Sequence, residues 1–263
     1  MSNLPTVLID FDDTLSDPIP FFLQFTREIG GYLSDRFGGE HAAWDKAAAE
    51  MLHVVQDDYL DRFVGNPTAG YLEWLGALRS RSMQLVCDTM AVSVPPDVER
   101  LSLEVQFEAL SRCRAGFPGA EQALAELAEL GYPLHMASGQ ESEYLRGGLT
   151  GLGLTRFFGR LFGPDLIDCA KEGTEYYTRV FAALGVRSDK VIVVDDYPPA
   201  IGWAVAAGAQ VIQAKLSPHV AHPTQPGVAA VVTDLRDLPR LVANMTAPDH
   251  AIHGKSAPVI GSP

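Results

Sequence analysis

Apolar residues recur at three- to four-residue spacing through residues 19–37, 42–63, 71–90 and 98–113, the period of an amphipathic helix. Breakers part these stretches: Gly38-Gly39, Gly65-Asn66-Pro67 and Pro95-Pro96. Four helices joined by short loops predict a small bundle. The pattern on either side is different. Val7-Leu8-Ile9 is a short continuous apolar run, and after Gly116 apolar runs alternate with helical patterns. Strands are expected at 132–137, 161–162, 190–194, 210–213 and 228–232, and helices at 119–130, 141–149, 172–184, 200–207 and 235–242.

Near-continuous apolar strands separated by helices predict a parallel sheet covered on both faces. The expected fold is therefore α/β, a Rossmann-like parallel core over residues 1–17 and 116–246. The four-helix segment, residues 18–115, is an insert after the first strand, and the Ala-, Pro-, Gly- and Ser-rich tail, 247–263, is expected to be loosely held. No internal repeat is visible.

With 47% hydrophobic and 20% charged residues in 263, the chain has enough apolar material for a sizeable core. Its formal net charge of −13 argues against nucleic acid or an anionic membrane as partner. An anionic substrate must then be attracted locally, by a metal or a lysine. Cys87, Cys113 and Cys169 are odd in number and widely spaced, with no CxxC pair. They read as small buried apolar residues, which fits a reducing, cytoplasmic setting. No secretory signal and no apolar run of membrane-spanning length (about 18 residues) is evident.

Candidate chemistry gathers where strands are expected to end. The first apolar run stops at Asp10-Phe11-Asp12-Asp13-Thr14. Buried carboxylates are costly without a partner, and a hard divalent cation such as magnesium is a suitable one. Ser138-Gly139 follows the strand over 132–137, and Asp195-Asp196 follows Val191-Ile192-Val193-Val194. Lys171 stands where a helix is expected to begin. In open α/β sheets ligands bind beyond the carboxyl ends of the strands. Carboxylates, a hydroxyl and a lysine on that edge suit a phosphate handled with Mg²⁺, one carboxylate being free to attack.

In this order and spacing, Asp10-Phe11-Asp12-Asp13-Thr14, Ser138, Lys171 and Asp195-Asp196 resemble the four motifs of the haloacid dehalogenase superfamily, mostly magnesium-dependent phosphatases. The resemblance covers nearly the whole core and implies that the insert is a helical cap. It implies Asp10 as nucleophile and Asp12 as general acid, then base. Ser138, Gly139, Lys171 and Thr14 would serve phosphate binding, with Thr14 also bracing the first loop. Asp10, the main-chain carbonyl of Asp12, and Asp196 would hold the metal. Many relatives place a second Asp four residues after the fourth motif, where this chain has Ala200; Asp195 is expected to take its place. Tyr197 stands where a small hydroxyl residue is frequent.

Plainer readings exist for each residue. Asp10 and Asp12 could cap a turn, Ser138-Gly139 is a common turn pair, Lys171 could be solvated, and Asp195-Asp196 could be structural. His135 reads as a core histidine, while His219 and His222, in a Pro-rich loop, lack a third ligand nearby. Phe21, Phe22, Phe25, Trp44, Tyr59, Phe63, Tyr71 and Trp74 read mainly as bundle core, with one or two facing the site.

The function expected is hydrolysis of a small phosphorylated metabolite through an aspartyl-phosphate. The alternatives are a phosphomutase, a dehalogenase (relatives that lack the second acid of the first motif and need no magnesium), a receiver-type signalling module and a non-catalytic phosphate-binding relative. Substrate identity and oligomeric state are not legible.

Overall fold

A computed structural model describes residues 4–218 and 222–246. His219 and the tail after residue 246 lie outside the described residues. Six strands form one sheet in the order β3-β2-β1-β4-β5-β6: β1 Thr6–Ile9, β2 Leu134–Ala137, β3 Leu161–Phe162, β4 Val191–Asp195, β5 Gln210–Ala214 and β6 Ala230–Val232. Every pairing is parallel. β1 lies at the centre, with Val7 opposite Leu134 on one side and Ile192 on the other.

Alternation of side chains along the strands builds two apolar layers. Val7, Ile9, Met136, Ile192, Val194 and Ile212 face one layer. It includes α5 (Ala120–Glu129) and α9 (Leu238–Thr246). Leu8, Val191, Val193 and Val211 face the other, packed on α7 (Thr174–Leu184) and α8 (Pro198–Ala206). All four residues of β1 are buried, which is why its sequence is a continuous apolar run rather than an alternating one.

The helical insert leaves the sheet after β1 and returns before α5. Its helices are α1 Pro18–Phe37, α2 His41–Phe63, α3 Tyr71–Thr89 and α4 Val98–Leu110. They pack on one another, with Trp44 fully buried between α1 and α2 and its indole N–H donated to the Gly38 carbonyl (2.8 Å). A short joint ties insert to sheet through α6 (Ser142–Leu152). There, a Cβ on Gly151 would lie 2.4 Å from the Leu110 carbonyl oxygen and 2.5 Å from that of Cys113. Only glycine lets α4 approach so closely.

Elements appear where the periodicity places them, with shifted ends. The helix expected over 98–113 stops at Leu110, and Cys113 lies in the following turn. The helix expected from residue 172 begins at Thr174, because Gly173 is extended (φ 174°). Lys171 therefore stands in a loop ahead of the helix, not in its first turn. All three cysteines are buried and free.

Candidate active site

The loop after β1 turns sharply: the amides of Leu15 and Ser16 both donate to the Phe11 carbonyl, at 2.9 Å each. Asp13 takes a left-handed conformation (φ 54°), which aspartate tolerates better than most residues. The turn places Asp10 and Asp12 at the sheet edge. Asp10 is 6% exposed, and its amide donates to the Val194 carbonyl (2.9 Å), locking it beside the end of β4.

Lys171 joins the carboxylates. Its ammonium donates to Asp10 Oδ1 (2.8 Å), to Asp195 Oδ2 (2.7 Å) and to the Ala137 carbonyl (3.1 Å). Burial pulls the lysine pKa down, but Asp10 and Asp195 more than offset this and hold it well above its ordinary value. Burial pushes Asp10 up to about 7 despite Lys171. The lysine thus neutralises only part of the local negative charge.

Asp195 and Asp196 have separate surroundings. Asp195 is fully buried; it accepts the Tyr177 hydroxyl (2.9 Å) as well as Lys171, and its other oxygen accepts the Tyr197 amide (3.0 Å). Asp196 borders the cavity described below, and Thr14 donates its hydroxyl to Asp196 Oδ1 (3.4 Å). Burial, followed by repulsion from Asp10 and Asp195, pushes Asp196 up to about 9. One oxygen from each of Asp10, Asp195 and Asp196 lies within 4.8 Å of the others. Three hard oxygen donors with excess negative charge suit a hard divalent cation. Asp195 has both oxygens engaged, so Asp10 and Asp196 are the pair whose chemistry fits such an ion. Asp13 Oδ1 is buried with no hydrogen-bond partner among the described residues, a further acceptor nearby.

Asp12 is held from two sides: Gln140 Nε2 donates to Oδ2 (2.8 Å) and Ser16 Oγ to Oδ1 (3.2 Å). Burial raises its pKa, while those hydrogen bonds oppose the shift. Ser138, 2% exposed, follows β2; its amide donates to the Phe162 carbonyl (3.0 Å) and its Oγ accepts the Gln140 amide (3.4 Å). Tyr176 clamps the same loop by donating to the carbonyls of Ser138 (2.8 Å) and Phe162 (2.9 Å). Asp10, Asp12, Ser138, Gly139, Lys171 and Asp196 all border one cavity; Thr14 is buried behind Asp196.

Gln140, Tyr176 and Tyr177 are positioning residues that the sequence reading missed. Gln140 had a signal, because it directly follows Ser138-Gly139. The tyrosines follow Lys171 by five and six residues, but nothing local marks them as partners of a site. His135 is half-buried in β2, where its Nδ1 accepts the Arg160 amide (2.8 Å).

The cavity, about 650 Å³, rises from these strand ends into the insert. Insert and core are tied around it. Arg79 of α3 and Gln106 of α4 both donate to Glu141 (2.6 and 2.7 Å), and Tyr59 of α2 donates to Glu172 (3.2 Å). Of the eight insert aromatics named above, Phe22, Phe25, Tyr59, Tyr71 and Trp74 border the cavity. That corrects the expectation of one or two: the four helices enclose a space open to the sheet edge instead of closing on a complete core.

The family model for haloacid dehalogenase-like hydrolases matches residues 4–208. The chain is 24% identical over 208 residues to a phosphoglycolate phosphatase of Mesorhizobium japonicum, covering 79% of this chain and 81% of that protein. Among solved structures, it resembles the defluorinating L-2-haloacid dehalogenase Rha0230 (TM-score 0.66, 16% identity, 92% and 96% of the two chains). It also resembles the putative hydrolase YfnB of Bacillus subtilis bound to magnesium (TM-score 0.58, 15% identity, 92% and 99%). At such identities these structures speak for the fold. Among the described residues, no helix is long and apolar enough to cross a membrane.

Proposed function

The chain belongs to the haloacid dehalogenase-like hydrolases, and on that premise we propose that it is a magnesium-dependent phosphatase of small phosphorylated molecules, working through an aspartyl-phosphate on Asp10. The observation that carries this assignment is the meeting of Lys171 with Asp10 and Asp195 (2.8 and 2.7 Å) beside Asp196, at the ends of separate strands. Asp10, Asp196 and the main-chain carbonyl of Asp12 would hold the metal. When bound, the ion supplies positive charge to the carboxylates and to the phosphoryl oxygens.

An Asp10 carboxylate oxygen attacks phosphorus, and the bond to the leaving oxygen breaks. Asp12, whose pKa burial raises, gives its proton to that oxygen. The resulting Asp12 carboxylate then takes a proton from the water that attacks the acyl phosphate, releasing phosphate and restoring Asp10. Gln140 and Ser16 hold Asp12 in place for both transfers. Ser138, Gly139 and Lys171 receive phosphoryl oxygens, and the helical insert acts as a cap that keeps bulk water out. Three buried free cysteines agree with a cytoplasmic setting.

Dehalogenation is the competing reaction, since Rha0230 is a dehalogenase. A departing halide is stable without a proton, whereas a departing alkoxide needs one. A half-buried carboxyl held beside the nucleophile therefore favours phosphate esters. The test is release of phosphate from p-nitrophenyl phosphate with magnesium or with chelator, against release of chloride from 2-chloropropionate. Magnesium-dependent phosphate release is expected. Chloride release in chelator, with no phosphate release in magnesium, overturns the assignment.

A further inference from the structure

Resting on the phosphatase reading, we propose that the substrate is a phosphate monoester of an uncharged apolar alcohol, alkyl or aryl, whose body is seated among the four helices of the insert. The cavity is the first reason. Its volume, about 650 Å³, lies within the range of pockets that enclose whole organic ligands, about 300–1,000 Å³. Its lining includes Ile29, Leu33, Met83, Val86 and Val105 of the insert, each no more than 4% exposed. A space lined this way holds water poorly and favours an apolar occupant.

Charge is the second reason. The lining carries six carboxylate residues, Asp10, Asp12, Asp13, Glu141, Glu172 and Asp196, and one cation, Lys171. That cation is already bound to Asp10 and Asp195. With the magnesium of the phosphatase reading committed to the reacting phosphate and Arg79 to Glu141 (2.6 Å), a leaving group with its own carboxylate or second phosphate would meet the remaining carboxylates of the lining. Phosphoglycolate, the substrate named for the Mesorhizobium relative, is therefore a poor match.

The engagement of several polar groups bordering the cavity is the third reason. Gln106 is engaged with Glu141, Tyr59 with Glu172, Trp74 Nε1 with Asp58 (2.7 Å) and Ser82 with the Arg79 carbonyl (3.2 Å). These four tips are occupied within the fold and offer a sugar hydroxyl little; Gln56, Tyr71, Ser102 and Tyr144 also border the cavity. At the mouth, Phe22, Leu60 and Tyr197 are 38%, 44% and 48% exposed, an apolar entrance to an apolar interior.

The test is phosphate release by the full chain with magnesium from methyl, butyl, hexyl and octyl phosphate and from phosphoglycolate. Expected is a kcat/KM that rises about fourfold for each methylene buried, with phosphoglycolate below butyl phosphate. A flat series, or phosphoglycolate as the preferred ester, overturns the apolar-alcohol class while leaving the phosphatase reading standing. No phosphate from any ester overturns both. Val105→Phe, which adds bulk to the apolar lining, is expected to lower the octyl-to-methyl ratio at least tenfold. An unchanged ratio in folded variant counts against the seat, and if that variant fails to fold the wild-type series decides.

Discussion

The floor and the roof of the cavity are built on opposite rules. The floor, at the strand ends, is a packed ionic network in which Asp10, Lys171, Asp195 and Tyr177 meet at 2.7–2.9 Å with almost no solvent. In such low-dielectric surroundings each member fixes the others, and removing one strands a charge. The roof, the helical insert, is mostly apolar and leaves a cavity among its helices, forgoing packing contacts. On the proposed reading the labour divides, with chemistry on the crowded side and selectivity on the side with room to change.

Breaking the floor at its nucleophile should have the largest effect. Asp10→Asn is expected to lower phosphate-ester hydrolysis by at least about 10⁴-fold, with the circular dichroism spectrum retained. Substantial activity in that variant would remove Asp10 from its role. Lys171→Met leaves Asp10 and Asp195 uncompensated and is expected to cost about 3–5 kcal/mol of stability, measured by urea unfolding. A loss under about 1 kcal/mol would mean that the network is not the floor's organising feature.

Damage to the roof should behave differently. Trp44→Ala removes a fully buried indole and is expected to cost a similar 3–5 kcal/mol. The pH dependence of turnover at low temperature, which belongs to the floor, should stay as it was. A shifted pH profile would blur the division.

Magnesium and pH sharpen the contrast further. Without metal, Asp10 and Asp196 are pushed up to about 7 and about 9 from an ordinary 3.8. The folded chain then binds more protons than the unfolded chain, so stability falls as pH rises from about 4 to about 9. Magnesium needs those carboxylates ionised. Its stabilisation, about 2.7 kcal/mol at a hundredfold excess over Kd, should therefore shrink toward pH 5 and be fullest above pH 9. A magnesium-induced rise in Tm that is constant with pH would contradict the assignment of these ligands. The smallest effect is expected of Tyr177→Phe, which removes one hydrogen bond to Asp195 and should cost about 1 kcal/mol.

Much of the floor was legible because a buried apolar strand cannot end in carboxylates without reason. Val7-Leu8-Ile9 before Asp10 and Val191-Ile192-Val193-Val194 before Asp195 both carry that signal. Adjacency alone could not separate Asp195 from Asp196. Their surroundings depend on Tyr177 and Lys171 for the one and on the cavity for the other, contacts that only the folded sheet brings together. The helix was expected from residue 172, directly after Lys171, because the pattern runs through Gly173, whose extended backbone delays the helix to Thr174. The roof's helices were legible from their period, but its cavity was not. Periodicity states which residues face inward, whereas the gap depends on how nearly Ile29, Met83 and Val105 meet.

The most direct measurement is rapid acid quenching during turnover of an aryl phosphate with magnesium, followed by peptide mapping of the trapped enzyme. The account predicts a phosphoryl group on the peptide carrying Asp10, absent from Asp10→Asn and from enzyme quenched without substrate. Turnover with no phosphorylated peptide, or with the phosphoryl group on another residue, would contradict it.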